Sequence, residues 1–247
     1  MVSPAGVFSL ADYTAAVSVC VVTGVGPGNG AACARRFARA GWRVAMLARS
    51  ADKLRALESA IPGALGIGAD VAEASSVRQA FRRVRDELGP VDALVQNAGN
   101  ASFGGFLEVT PEALESAWRV NALSLFLCGR EAANDMLARA GGAIVVIGAT
   151  AALRGGAGFA AFAPAKAAQR SLAQSMARSL GPRGIHVAYV VVDGVIDTPS
   201  TRSFLRDRPD DFFLKPDSIA ESVFQVATQE RSAWTFELDL RPYAEKW

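Results

Sequence analysis

Thr23-Gly24-Val25-Gly26-Pro27-Gly28-Asn29-Gly30 follows a Val-rich apolar run and precedes an amphipathic stretch, the setting in which a glycine turn holds phosphate. Glycine lets backbone approach a pyrophosphate, and the free N–H groups of a helix N-terminus present partial positive charge to the anion. The sequence therefore predicts a dinucleotide site with Gly24, Gly28, Asn29 and Gly30 among its binding residues. About 20 residues on, where an acidic side chain would hold a ribose 2′-hydroxyl, the chain has Leu47-Ala48-Arg49-Ser50. Arg49 and Ser50 suit a 2′-phosphate, through a charge-assisted fork and a hydroxyl, so NADP(H) is expected ahead of NAD(H).

Such a turn needs a sheet behind it, and short apolar runs alternate with amphipathic stretches along the whole chain. Strands are predicted over 17–23, 43–48, 64–68, 93–96, 143–148, 186–192 and 234–240, and helices over 29–40, 52–60, 74–88, 111–138, 161–180 and 217–229. This is an α/β pattern: a Rossmann-like doubly wound parallel sheet of about seven strands with helices on both faces. Ser50 is a predicted cap, Thr110-Pro111 a cap with proline at the first helical position, and Gly181-Pro182 a helix stop. Residues 1–247 are expected to form a single dinucleotide-binding domain with a loose tail over 1–14. The stretch 194–216 lacks a clear element, and a loop of that length in a compact domain suggests a substrate lid.

Composition narrows the function. The 247 residues carry 26 basic and 24 acidic side chains, with no run of like charge that would wrap nucleic acid or coat an anionic membrane. The uncharged stretch from Tyr13 to Ala34 is long enough to span a bilayer, but its glycines and Pro27 resolve it into a buried strand and a turn. No basic segment precedes an apolar run at the N-terminus, so no secretory signal is expected. Cys20, Cys33 and Cys128 are scattered without metal-ligand spacing, which suggests neither a disulfide framework nor a metal site and fits a reducing cytoplasm. His186 and the arginines at 35, 36, 39, 78, 82, 83 and 85 are expected to be structural or solvated. A small-molecule substrate is the expected partner, with neither nucleic acid nor membrane.

Asp70-Val71 after the third strand, Asn97-Ala98-Gly99 after the fourth, Asn121 in the long helix and Lys166 complete a set that resembles the short-chain dehydrogenase/reductase family over nearly the whole chain. The turn matches the family's TGxxxGxG, Asn97-Ala98-Gly99 its NAG, and Gly194 to Thr198 its nicotinamide loop. The resemblance implies that Asp70 accepts from the adenine amine, Val71 packs the adenine, and Asn97, Ala98 and Gly99 line the inner ribose. It further implies that Lys166 holds ribose hydroxyls and that Gly194, Ile196 and Thr198 meet the nicotinamide. A homodimer or homotetramer built on the 111–138 and 161–180 helices is implied as well.

The family's proton-donating Tyr stands four residues before its Lys, and its Ser thirteen before that Tyr. Those positions hold Phe162 and Ala149 here, and Phe159 occupies the Tyr position of the enoyl-reductase variant. Phenylalanine cannot donate a proton to a developing alkoxide, a step worth about 10² to 10⁴ in rate. Three groups are candidates to replace it: Thr150, if the strand end bulges; Asp193, at the end of the sixth strand; and Lys166 itself, if burial depresses its pKa. Asn121, Lys166, Thr150 and Asp193 are thus the candidate catalytic residues, with Ala149, Phe159 and Phe162 in the substrate pocket. Two functions follow. One is an oxidoreductase moving hydride between nicotinamide and a small apolar carbonyl, alcohol or activated alkene. The other is an NADP(H)-binding sensor or partner subunit with weak or lost catalysis.

Overall fold

The computed structural model describes residues 17–139 and 141–244; the expected tail over 1–14 lies outside them. Seven parallel strands form the main sheet: β1 (Val19–Thr23), β2 (Arg43–Ala48), β3 (Ala64–Gly68), β4 (Ala93–Gln96), β5 (Gly142–Ala149), β6 (Ile185–Val192) and β9 (Glu237–Leu240), in spatial order β3-β2-β1-β4-β5-β6-β9. β1 and β6 are buried at every position, which is why their Val-rich sequences run apolar without alternation. One core packs α1 (Asn29–Arg39), α2 (Ala51–Ala60) and α8 (Pro216–Ala227) against the sheet. A second packs α3 (Ala74–Glu87), α5 (Ser124–Ala138) and α6 (Phe162–Leu180) against the other face. The strand order reverses at β1 and β4, so a crevice opens beyond their carboxyl ends, where sheets of this kind take ligands.

The structure departs from the sequence reading at several points. The single helix expected over 111–138 is α4 (Pro111–Trp118), a π-helical turn (Arg119–Leu123) and α5. Here the Asn121 side chain donates to the Ala117 carbonyl, a local interception of the helix ladder that hydrophobic periodicity does not register. Thr110 caps α4 as expected, accepting from Ala113 N at 3.2 Å, whereas Ser50 precedes α2 without a side-chain cap bond. The stretch 194–216 contains β7 (Val195–Ile196), α7 (Pro199–Phe204) and β8 (Phe213–Leu214), with β7 and β8 paired in parallel. Arg202 organises it, meeting both Asp197 oxygens at 2.7 and 2.8 Å, Asp210 at 2.7 Å and the Phe213 ring at 4.1 Å. Pairing through one guanidinium leaves no apolar period to read.

Three arginines expected on solvated faces bind helix to helix instead, Arg35 meeting Asp217 of α8 at 3.2 Å. Arg36 pairs with Glu221 and lies 3.6 Å over the Phe224 ring, and Arg85 joins Glu131 and Asp135 at 2.8 Å each. His186 is structural: it stacks on Trp234 with centroids 4.8 Å apart, and burial lowers its pKa. No helix among the described residues is long and apolar enough to cross a membrane.

Candidate active site

The glycine turn is tight because backbone from two strands meets there. Gly24 has φ 64°, and a Cβ on it would stand 2.4 Å from the Ala98 Cα, so a side chain is excluded by both conformation and space. Asn97 Nδ2 donates to the Gly24 carbonyl at 2.9 Å, and the Asn97 and Ala98 N–H groups both donate to Thr23 Oγ1 at 3.1 Å. The turns after β1 and β4 are thereby held as one unit. Gly28, at φ 135°, precedes α1, whose first turn has neither a side-chain cap nor an acid, a helix start suited to an anion. Asn29 Oδ1 is buried there with no hydrogen-bond partner. Thr198 closes over this turn, its Cγ2 3.0 Å from where a Gly28 Cβ would be.

A cavity of about 1040 Å³ runs from this turn along the strand ends, bordered by Gly24, Arg49, Ser50, Asp70, Val71 and the Asn97-Ala98-Gly99 turn. Its size and its rim of backbone, guanidinium and carboxylate groups suit a dinucleotide. Asp70 Oδ1 accepts from Ala72 N at 2.9 Å, which fixes the carboxylate at the cavity edge. Arg119 reaches across the same cavity to Glu73 at 2.8 Å and the Ala72 carbonyl at 3.2 Å, a clasp that the sequence reading missed because its partner is 46 residues away. Ile196 and Thr198 lie in and beside β7, and Gly194, at φ 145°, packs against Pro242.

Lys166 and Phe162 are four residues apart and share a face of α6. Lys166 is 5% exposed; its Nζ donates to the Ile147 carbonyl and to Gln169 Oε1, both at 3.0 Å. Burial without a carboxylate partner lowers its pKa to about 7. Asn121 Nδ2 donates to Asn100 O and Ala117 O at 2.9 Å each, while its Oδ1 is buried and has no partner. That oxygen is 3.3 Å, and Lys166 Nζ 3.7 Å, from the point a Gly99 Cβ would occupy. An acceptor and an ammonium therefore converge on the Gly99 face, which the absence of a side chain leaves open.

Two residues of this centre escaped the sequence reading. Gln169 is fully buried, and its Nε2 donates to the Asn121 carbonyl at 2.9 Å while its Oε1 holds Lys166. Its signal was a polar residue on the buried stripe Ala165, Lys166, Gln169, Ala173 of α6. The second, Tyr189, lies on β6 and is fully buried. Its hydroxyl is 3.5 Å from both Gln169 Oε1 and the Lys166 carbonyl, and its ring covers Gly148, where a Cβ would come within 2.2 Å. Burial raises its pKa, so it stays protonated.

Thr150 follows Ala149 at the end of β5 and turns to β6, donating to Asp193 Oδ1 at 2.5 Å. Asp193 Oδ2 is 3.4 Å from Arg241 Nη1, and Arg241 also meets Asp239 at 3.2 Å. Phe159 and Phe162 join Phe103 in one aromatic cluster, with ring centroids 5.4, 5.8 and 6.2 Å apart. Backbone bonds from Gly104 N to Gly158 O at 2.8 Å and from Ala160 N to Gly104 O at 3.2 Å hold the two loops together.

Known proteins share this architecture. The inactive 2-(S)-hydroxypropyl-CoM dehydrogenase 2 of Xanthobacter autotrophicus is 36% identical over 213 residues, covering 79% of this chain and 92% of that protein. A short-chain dehydrogenase structure from Rhodopseudomonas palustris is 35% identical with a TM-score of 0.78, covering 92% and 99% of the two chains. The NADPH-bound short chain oxidoreductase of Pseudomonas aeruginosa PAO1, described as containing an atypical catalytic center, superimposes with a TM-score of 0.85 at 25% identity, over 93% of this chain and 97% of that one. Residues 18–209 match the family model for short chain dehydrogenases, a span that includes the glycine turn, the Gly99 face and the helix bearing Lys166, and the chain belongs to that family.

Proposed function

We propose that the protein is an NADP(H)-dependent oxidoreductase acting on a small apolar carbonyl, alcohol or activated alkene, with Lys166 in place of a tyrosine as its proton source. The observation that carries this reading is the convergence of Lys166 Nζ and the unpartnered Asn121 Oδ1 on the Gly99 face, beside two positions, Phe162 and Ala149, that offer no hydroxyl. When bound, the cofactor supplies or accepts the hydride. Gly24, Gly28, Asn29 and Gly30 would hold its phosphates, Arg49 and Ser50 the 2′-phosphate, Asp70 and Val71 the adenine, and Asn97 to Gly99 the inner ribose. Gly194, Ile196 and Thr198 would meet the nicotinamide, and residues 194–216 would cover the substrate. The NADPH bound by the Pseudomonas relative supports the cofactor class.

With a pKa of about 7, Lys166 is about half protonated at neutral pH, and its ammonium form can give a proton to a developing alkoxide. Asn121 would orient it, Thr150 and Asp193 would form the polar wall at the strand ends, and Ala149, Phe159 and Phe162 the apolar one. Trp118 and Phe126, exposed on α4 and α5, are suited to a homodimer or homotetramer contact.

A second reading, an NADP(H)-binding sensor or partner subunit, draws support from the Phe103, Phe159 and Phe162 rings packed on one another where substrate would enter. Fluorescence titration with NADPH and NADH, followed by a carbonyl and enone panel with NADPH, separates the two. Turnover that disappears in Lys166→Ala supports the enzyme. NADPH binding without oxidation across the panel leaves the sensor, and failure to bind either dinucleotide removes both.

A further inference from the structure

The buried Lys166 ammonium has two fixed acceptors. Ile147 O and Gln169 Oε1 each accept from Nζ at 3.0 Å. Gln169 cannot rotate away from that task, because its other end donates to the Asn121 carbonyl at 2.9 Å and the residue is fully buried. Flipping the amide would set an NH₂ group against the ammonium and an oxygen against a carbonyl oxygen, two repulsive contacts in place of two hydrogen bonds. Two of the three ammonium hydrogens are thus committed, and the third is left for the Gly99 face, 3.7 Å from the point a Cβ would take there.

We propose that Gln169 is a positioning residue of this centre: its amide splints the Lys166 ammonium to the Asn121 carbonyl and so sets both the direction of the remaining N–H and the ease with which Lys166 holds its proton. The inference rests on Lys166 being the working group of the site, and it assigns to α6 a polar residue that neither the glycine turn nor the Asn121 and Lys166 motif positions required. The splint also spans the two elements that carry these groups, the π turn and α6, which links their placement. Because a primary amide has no readily transferable proton, it fixes geometry without relaying charge.

The titratable groups around the pair are few. On β6, Tyr189 presents its hydroxyl 3.5 Å from Gln169 Oε1. On α6 itself, Arg170 is engaged by Glu237 of β9 at 2.5 and 2.8 Å. At the strand ends, Asp193 is engaged by Arg241. Gln169 Oε1 is therefore the nearest side-chain acceptor to the ammonium, and changing it acts on Lys166 directly.

The test needs neither cofactor nor substrate. The chain has four lysines, so labelling with 13Cε-lysine gives a sparse NMR spectrum in which Lys166 is assigned by its absence from Lys166→Met. The titration midpoint of that signal is followed in wild type, Gln169→Met and Gln169→Glu. Loss of the acceptor in Gln169→Met should lower the midpoint by about one pH unit, since an ammonium that loses a hydrogen bond is less favoured over the amine. Gln169→Glu, which keeps an acceptor and adds charge, should raise it by about one pH unit or more. If Gln169→Met does not fold, the direction seen in Gln169→Glu decides alone. Midpoints unchanged from wild type overturn the proposal even if the protein turns over substrate, and opposite shifts support it even if no substrate is found.

Discussion

The Thr150 hydroxyl donates to Asp193 Oδ1 at 2.5 Å, across the ends of β5 and β6, and Asp193 is held from its other side by Arg241. Both side chains are thereby engaged with each other rather than standing free at the site, and the Asp193 and Arg241 side chains are only 19% and 16% exposed. Asp193→Ala removes the acceptor of the Thr150 hydroxyl and one of the two carboxylates that Arg241 meets, and should cost about 1–3 kcal/mol, read by chemical denaturation. Thr150→Val should cost about 1 kcal/mol and leave NADPH affinity unchanged. A loss of turnover in Thr150→Val larger than its loss of stability would instead make the hydroxyl part of the chemistry.

Burial of Lys166 makes stability depend on pH. The folded chain has released this proton above about pH 7, while an unfolded lysine keeps it to about 10.4, so the unfolded state binds more protons between these values. The penalty is therefore full below pH 7 and is relieved as pH rises toward 10. Relative to Lys166→Met, which lacks the titration, wild type should gain roughly 4 kcal/mol across that window in paired denaturation curves.

Carbonyl reduction that takes its proton from Lys166 should fall as pH rises through about 7, because the amine form has none to give. The reverse oxidation should rise over the same range. A profile flat from pH 6 to pH 9 under conditions where chemistry limits the rate would remove Lys166 from the role.

Phe162 stands one helical turn before Lys166, on the same face of α6. Restoring the pair of hydroxyls in Phe162→Tyr with Ala149→Ser should raise carbonyl reduction by about 10²-fold or more, measured as NADPH oxidation. The two substitutions together should exceed the product of the single ones, since such groups act as a unit.

Arg49 is exposed at the end of β2, on the rim of the cavity proposed to take the dinucleotide. Arg49→Ala should weaken NADPH binding about 10-fold to 100-fold and leave NADH binding within about twofold, by fluorescence titration. Equal losses for both would assign Arg49 to the groove in general rather than to the 2′-phosphate.

By itself the sequence determined the sheet, because buried parallel strands require unbroken apolar runs, and those runs at 43–48, 64–68 and 93–96 are the observed strands to the residue. It determined the glycine turn too, since Gly24 and Gly28 occupy backbone conformations that few other residues adopt. The absence of hydroxyls at Phe162 and Ala149 was equally plain, being a matter of residue type at fixed spacing. Only tertiary structure decided what surrounds Lys166. Gln169 meets Asn121 across 48 positions, and Thr150 meets Asp193 across 43. Arg119 finds Glu73 from a turn whose π geometry breaks the helical period. Local patterns record which face of an element is buried, whereas these partners are chosen by how separate elements pack, and the protonation behaviour of Lys166 follows from that packing.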